Sequence, residues 1–211
     1  MKASSRCPRC HAELSSPGLF FNDWRCDAHG PVAPLQAALS PTSEALSVMV
    51  AQSRVPVWIP WPLPAGWLVT GAATAGDART GWVGGAVALS GPAPLGGPAD
   101  LLLVAEEPGV GLGAGLAGLG GSDPGPGAVT GPPVTRVGAA TRPTPLWSVP
   151  PVSGVDQAVY VGEADGCWLW AICWPSEVSL VLHDSIELVD LRAPGHRLDI
   201  PFGAPSPRLV F

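Results

Sequence analysis

The chain predicts an α+β fold: a mainly antiparallel β body, one N-terminal helix and a small metal-built module ahead of both. Three observations predict it. Cys7-Pro8-Arg9-Cys10 and Cys26-Asp27-Ala28-His29 are two short turns separated by fifteen residues. That is the spacing of a tetrahedral site with sulfur and nitrogen donors. Apolar runs rich in Val, Leu, Ile and Trp recur from Trp67 onward, punctuated by Gly, Pro and Asp, which is strand patterning. The segment after Ser40 combines a helix start signal with an apolar stripe.

The module comes first. Cys7, Cys10, Cys26 and His29 form a three-thiolate, one-imidazole donor set suited to structural Zn2+, a borderline-soft ion that prefers four such ligands. Pro8 stiffens the first turn and Gly30 suits the positive φ that closes the second. Leu19–Trp24 reads as a strand feeding that second turn, after a turn at Pro17-Gly18. A unit of residues 1–34 buries too little apolar surface to fold alone, and metal binding supplies the missing stability. Cys7-Pro8-Arg9-Cys10-His11 also matches a c-type haem attachment pattern. That chemistry follows export, whereas Met1-Lys2 leads into Ala-Ser-Ser with no apolar signal segment. A redox dithiol needs a strand before the motif and a helix after it. His11 is the alternative fourth ligand; His29 keeps the two turns symmetric. Four protein ligands leave no open position, which disfavours catalysis at the metal.

The remaining elements follow in order. Residues 35–54 connect through a helix with Ser40 as N-cap, Pro41 at the first helical position and Glu44 in the first turn, its apolar face Leu46, Met49 and Val50. Pro56, Pro60, Pro62 and Pro64 make Val55–Trp67 extended. The body, 55–211, then predicts strands at Trp67–Ala75 and Trp82–Ser90, joined through Gly76–Gly81, and at Leu101–Glu106. A Gly/Pro-rich loop at 108–133 follows, then strands at Val134–Ala139, Gln157–Glu163, Cys167–Trp174, Val178–Leu182 and Ile186–Leu191. Ala164-Asp165-Gly166 is a hairpin turn of the Asp-Gly sort.

Charge and composition limit the partners. The chain carries 13% charged residues and a formal charge of −6. Residues 1–34 carry +1 and the body −7, so the body repels phosphate backbones and nucleic acid is an unlikely partner. Cys167 and Cys173 fall on one strand face about 20 Å apart, too far to bridge, and read as buried free thiols. Reduced cysteines beside a metal site indicate the cytoplasm, and no uninterrupted apolar stretch is long enough for a membrane span.

Several motifs in the body are weak. Gly113-Ala-Gly115-Leu-Ala-Gly118 matches the dinucleotide pattern G-x-G-x-x-G, but Gly120-Gly121 and Pro124 break the required helix and no acid lies near position 138. Glu106-Glu107 point to opposite faces if extended, and one could face a pocket beside the glycine loop. His183-Asp184-Ser185 are consecutive and cannot relay a proton as a triad, and His196 reads as a surface turn. Trp58, Trp61 and Trp67 alternate with prolines, either filling a core of small residues or forming an aromatic groove for a proline-rich peptide or other flat ligand.

Cys7–Cys10, Trp24–Gly30, Val55–Trp67, Val104–Gly113 and Arg142–Trp147 together resemble an actinobacterial family of unknown function with a zinc-ribbon-like N-terminus. The likeness spans nearly the whole chain. It implies a cytoplasmic bacterial protein and supplies no mechanism. The expected function is a cytoplasmic zinc-binding protein, non-enzymatic, acting as a regulatory module that binds a protein or small ligand. One alternative is an enzyme with its site between Glu106–Gly118 and the tryptophan cluster, using Trp58, Trp61, Trp67, Glu106 and Glu107. Another is weak nucleic-acid binding through Arg6, Arg9 and Arg25.

Overall fold

The computed structural model describes residues 5–19, 21–125, 127–139, 142–183, 186–193 and 199–211. Lys2, Phe20, the pair Asp184-Ser185 and His196 lie outside the described residues. Two short strands, β1 (Arg25–Cys26) and β2 (Gly30–Pro31), close the second N-terminal turn. Helix α1 (Ser43–Gln52) follows. Then come β3 (Trp58–Pro60), β4 (Leu68–Asp77), β5 (Gly81–Pro92) and β6 (Pro98–Glu106). Helix α2 (Leu112–Leu116) precedes β7 (Thr135–Ala139), β8 (Arg142–Val149), β9 (Ala158–Ala164) and β10 (Cys167–Trp174). Helix α3 (Leu180–His183) and β11 (Glu187–Asp190) complete the set.

Nine strands form one curled sheet in the order β3-β11-β7-β8-β9-β10-β6-β5-β4. The sheet is mixed, which corrects the expected mainly antiparallel body. β11 runs parallel to β7, with Glu187 opposite Gly138 and Leu188 opposite Ala139. The cause is topological: the chain leaves β7, builds the β8–β9–β10 meander, and returns through a helical segment, so it re-enters beside β7 in the same direction. The helix count also differs. α2 stands inside the segment expected to be loop, and α3 replaces part of the expected strand Val178–Leu182. A 3-10 turn at Ser176–Ser179 leads into α3, so Val178 and Leu182 are both buried at helical spacing.

Local chemistry explains further departures. α1 is capped by Thr42, whose Oγ1 accepts from the Ala45 N–H at 3.2 Å, rather than by Ser40. Leu46 and Met49 are its buried residues, as the stripe requires. Residues 21–24 bend instead of forming a strand, which begins only at Arg25. β8 gives no strand signal because Pro143 and Pro145 interrupt it. It is nevertheless paired with β7 from Arg142 to Leu146, Pro145 facing Arg136 and Pro143 facing Gly138.

The curl divides the apolar residues into two layers by strand alternation. Val87, Leu89, Leu101, Leu103, Leu169, Ala171 and Cys173 belong to one cluster with Trp58, Trp67 and Met49. Ala86, Ala88, Leu102, Val104, Trp170 and Ile172 belong to the other, with Leu35, Leu112 and Ala114. Residues from both ends of the sheet, Ile59 of β3 and Val69 of β4, share the first cluster. The edge of β4 is covered on one stretch by Gln36 and Leu39, whose N–H groups donate to Thr74 and Ala72, and on another by the Pro201–Ser206 segment. Covering an open edge in this way blocks strand addition. No helix among the described residues is long and apolar enough to cross a membrane.

Candidate metal centre

Two hairpins build the site. Residues Arg6 and Glu13 pair across the first, with the Cys7 N–H donating to Ala12 and the His11 N–H to the Cys7 carbonyl. β1 and β2 form the second, with Cys26 opposite Gly30. Reciprocal bonds between Ser15 and Arg25 join them. The residue after each second ligand has positive φ: His11 at 58° and Gly30 at 69°. The turns are therefore two copies of one conformation, and His11 serves the first as Gly30 serves the second.

The two turns aim Cys7, Cys10, Cys26 and His29 at one point, with all their donor atoms within 4.8 Å of one another. Cys10 Sγ lies 3.7 Å from Cys26 Sγ, and His29 Nδ1 lies 3.6 Å from Cys7 Sγ and 3.5 Å from Cys26 Sγ. These are not disulfide distances; all five cysteines are free. The four residues could hold a metal ion. In each turn two backbone N–H groups point at the leading sulfur: those of Arg9 and Cys10 at Cys7, and those of Ala28 and His29 at Cys26. Such donors favour thiolate over thiol and orient the ligand. Burial still pushes Cys7 up to about 11. Burial also raises Cys26, but the Ala28 N–H and the His29 ring outweigh it and hold that thiol down at about 7. His11 is set apart: its ring packs against Phe211 at 5.2 Å between centroids, and burial, then Arg6, lower its basicity.

The first turn rests on the glycine segment. Gly115 of α2 packs so closely on the Pro8 carbonyl that a Cβ would overlap it, and Gly113 lies as closely on the buried Trp170 ring. Arg9 donates to the carbonyls of Gly109 and Val110 beside it. The glycines of the G-x-G-x-x-G match thus let one helical turn fit between an indole and the metal-site backbone. The anion expected at the start of such a helix is supplied internally. Glu106 accepts from the N–H groups of Leu112 at 2.5 Å and Gly113 at 3.2 Å, and from Trp170 Nε1 at 2.7 Å. Burial dominates its acidity and pushes it up to about 7, against the three donors.

The other expected site residues are dispersed. Glu106 is fully enclosed on the α2 side of the sheet, whereas Trp58 and Trp67 are buried in the opposite layer. Trp61 is half-buried at the end of β3. Glu107 pairs with Arg54 at 3.3 Å near the surface. Arg6 donates to the His11 carbonyl, and Arg25 stacks over Phe21 at 4.6 Å. Cys167 and Cys173 are both buried in the first cluster. The structural role of Glu106 was not legible beforehand, because its partners lie six, seven and sixty-four residues away.

The chain belongs to a family of unknown function (DUF6758), which matches residues 1–209. Comparison with curated proteins and with solved structures finds no match.

Two outcomes test this packing. Gly115→Ala would gain up to about 1 kcal/mol from helix propensity alone. The overlap with Pro8 reverses the sign, giving a loss of about 1–3 kcal/mol by urea denaturation. Gly120→Ala, where a Cβ meets nothing within 4 Å, stays within about 0.5 kcal/mol of the parent. Glu106 holds its proton more tightly when folded than at its ordinary 4.5. Stability relative to Glu106→Gln is therefore greatest below about pH 4.5. It falls as pH rises toward about 7, by about 3 kcal/mol, and is flat above. Paired denaturation curves across that range read the difference.

Proposed function

We propose that the chain is a zinc-binding, non-enzymatic binding protein in which the ion fastens the N-terminal hairpins to the β sheet. The observation that carries this reading is the geometry of the four donors. Zinc at about 2.3 Å from sulfur and 2.0–2.1 Å from nitrogen defines tetrahedron edges of about 3.8 Å and 3.6 Å. The spacings of 3.7, 3.6 and 3.5 Å match them. Softness of the donor set favours zinc over the oxygen-seeking cations. Four protein ligands fill the coordination sphere, so the role is structural. The support passes from Pro8 through Gly115 and Gly113 to Trp170, so the metal also bears on the body.

This reading places ligand recognition in the body, away from the metal. Glu106, the carboxylate that an enzymatic site beside the glycine segment would use, is committed to three N–H donors. A metal–thiolate centre together with the buried free thiols Cys167 and Cys173 favours a reducing, cytoplasmic setting.

Elemental analysis of the purified full chain is expected to find one zinc per chain. Cys26→Ala is expected to lose the metal, lower the melting temperature and release protection against hydrogen exchange at 5–34 and in α2, while the sheet stays protected. A metal-free protein that melts like its Cys26→Ala variant removes the proposal.

A further inference from the structure

We propose that a pocket opened between β8 and β9 binds a small organic ammonium ion; this rests on the binding-protein reading above and supplies its ligand class. The pocket arises from a parting of neighbours. β8 and β9 pair only from Val149 opposite Val159 to Trp147 opposite Val161. Beyond that point β8 stays with β7 as far as Arg142, and β9 stays with β10 as far as Ala164. Gly162 sits where they separate, and a Cβ there would overlap the Pro145 carbonyl. The gap has a volume of about 550 Å³, within the range of small-molecule sites.

Its lining is rich in acceptors and π surface. Trp147 stands opposite Val161, and Trp168 opposite Glu163 two residues further on, so these side chains rise from one face. Trp147 Nε1 donates to the Gly131 carbonyl at 3.0 Å and Trp168 Nε1 to Asp123 Oδ1 at 2.9 Å. With both N–H groups occupied, the rings offer the pocket only carbon and π density. Glu163 and Asp165 bring two exposed carboxylates to its rim. Pro143 and Pro145 line β8 with carbonyls and no backbone N–H. Arg136, opposite Pro145 on β7, stands outside the lining.

An alkylated ammonium satisfies every part of this lining. Its methyl or methylene groups lie on the indoles with the cation attracted to their faces, and the carboxylates neutralise its charge. A bare divalent ion would exchange hydration for aromatic carbon, and an anion would meet Glu163 and Asp165 together. The body's charge of −7 draws a cation toward the site.

The test is calorimetric titration of the full chain with choline and with 3,3-dimethylbutanol, its uncharged isostere. Choline is expected to bind at least about tenfold more tightly and to weaken as salt is raised. The double substitution Glu163→Gln, Asp165→Asn is expected to remove most of that preference. Both positions are exposed, and Asn tolerates the positive φ of 53° at Asp165, so the melting temperature is unchanged. Equal binding of the two compounds, no binding of choline, or a preference that survives the double substitution overturns the inference. Zinc content of the same sample is read independently. A zinc-loaded protein without choline binding defeats only this proposal, and a zinc-free one only the metal reading.

Discussion

A single carboxylate ties helix α2 to the sheet of this protein. Glu106 ends strand β6 and turns inward to take N–H groups from α2 and from the Trp170 indole. Removing it would orphan two backbone donors and a ring donor in a water-free place, and each orphan costs about 1–3 kcal/mol. Because those donors converge, α2 is held within contact of the indole, and only glycine fits there. The far side of α2 then meets the Pro8 carbonyl. The position of the metal-site hairpin is thus set by a carboxylate on the sheet, through a helix of five residues. That helix is too short to persist without such contacts.

The Cys/His cluster and the carboxylate have complementary tasks. The donor set joins two hairpins that bury little apolar surface of their own: among the described residues Cys7, Pro8 and Cys26 are buried, and Leu19 and Phe21 are exposed. The sheet side fixes where those hairpins sit. Arg6 exchanges backbone bonds with Leu35, and the Trp24 indole donates to Asp77 at the end of β4. Burial raises the proton affinity of Cys7 and of Glu106 alike. Backbone N–H groups oppose it in both places: those of Arg9 and Cys10 at the sulfur, and those of Leu112 and Gly113, with the Trp170 indole, at the carboxylate.

Sequence carried the Cys/His cluster because ligands paired two residues apart within one turn are a local pattern. It carried β4, β5, β6, β9 and β10 because each is an apolar run bounded by turn residues, and the Asp165-Gly166 turn because both residues take positive φ. It missed β8, where proline chemistry argues against a strand and only the partner β7 makes one tolerable. It misread Val178–Leu182, since a short apolar run carries no period long enough to separate strand from helix. It read residues 108–133 as loop because glycine lowers helix propensity, although the same glycines admit the close packing that makes α2 stable. Glu106 stood only as one of two adjacent acids at a strand end, and its burial depends on partners remote in the chain.

The indole N–H groups show how a chain with 13% charged residues ties distant segments together. Among the described residues four ion pairs form, and tryptophan adds polar anchoring between distant segments. Trp24 ties the N-terminal hairpins to Asp77, Trp170 ties β10 to Glu106, and Trp147 and Trp168 tie β8 and β10 to the 108–133 segment through Gly131 and Asp123. Each ring contributes large apolar area while its one donor fixes its direction. Where both ring faces are packed, as at Trp170, the result is core. Trp147 and Trp168 remain partly exposed, because the strands beneath them diverge and leave nothing to cover their faces. The same anchoring that closes the centre of the sheet therefore holds two aromatic surfaces open at the gap beside it.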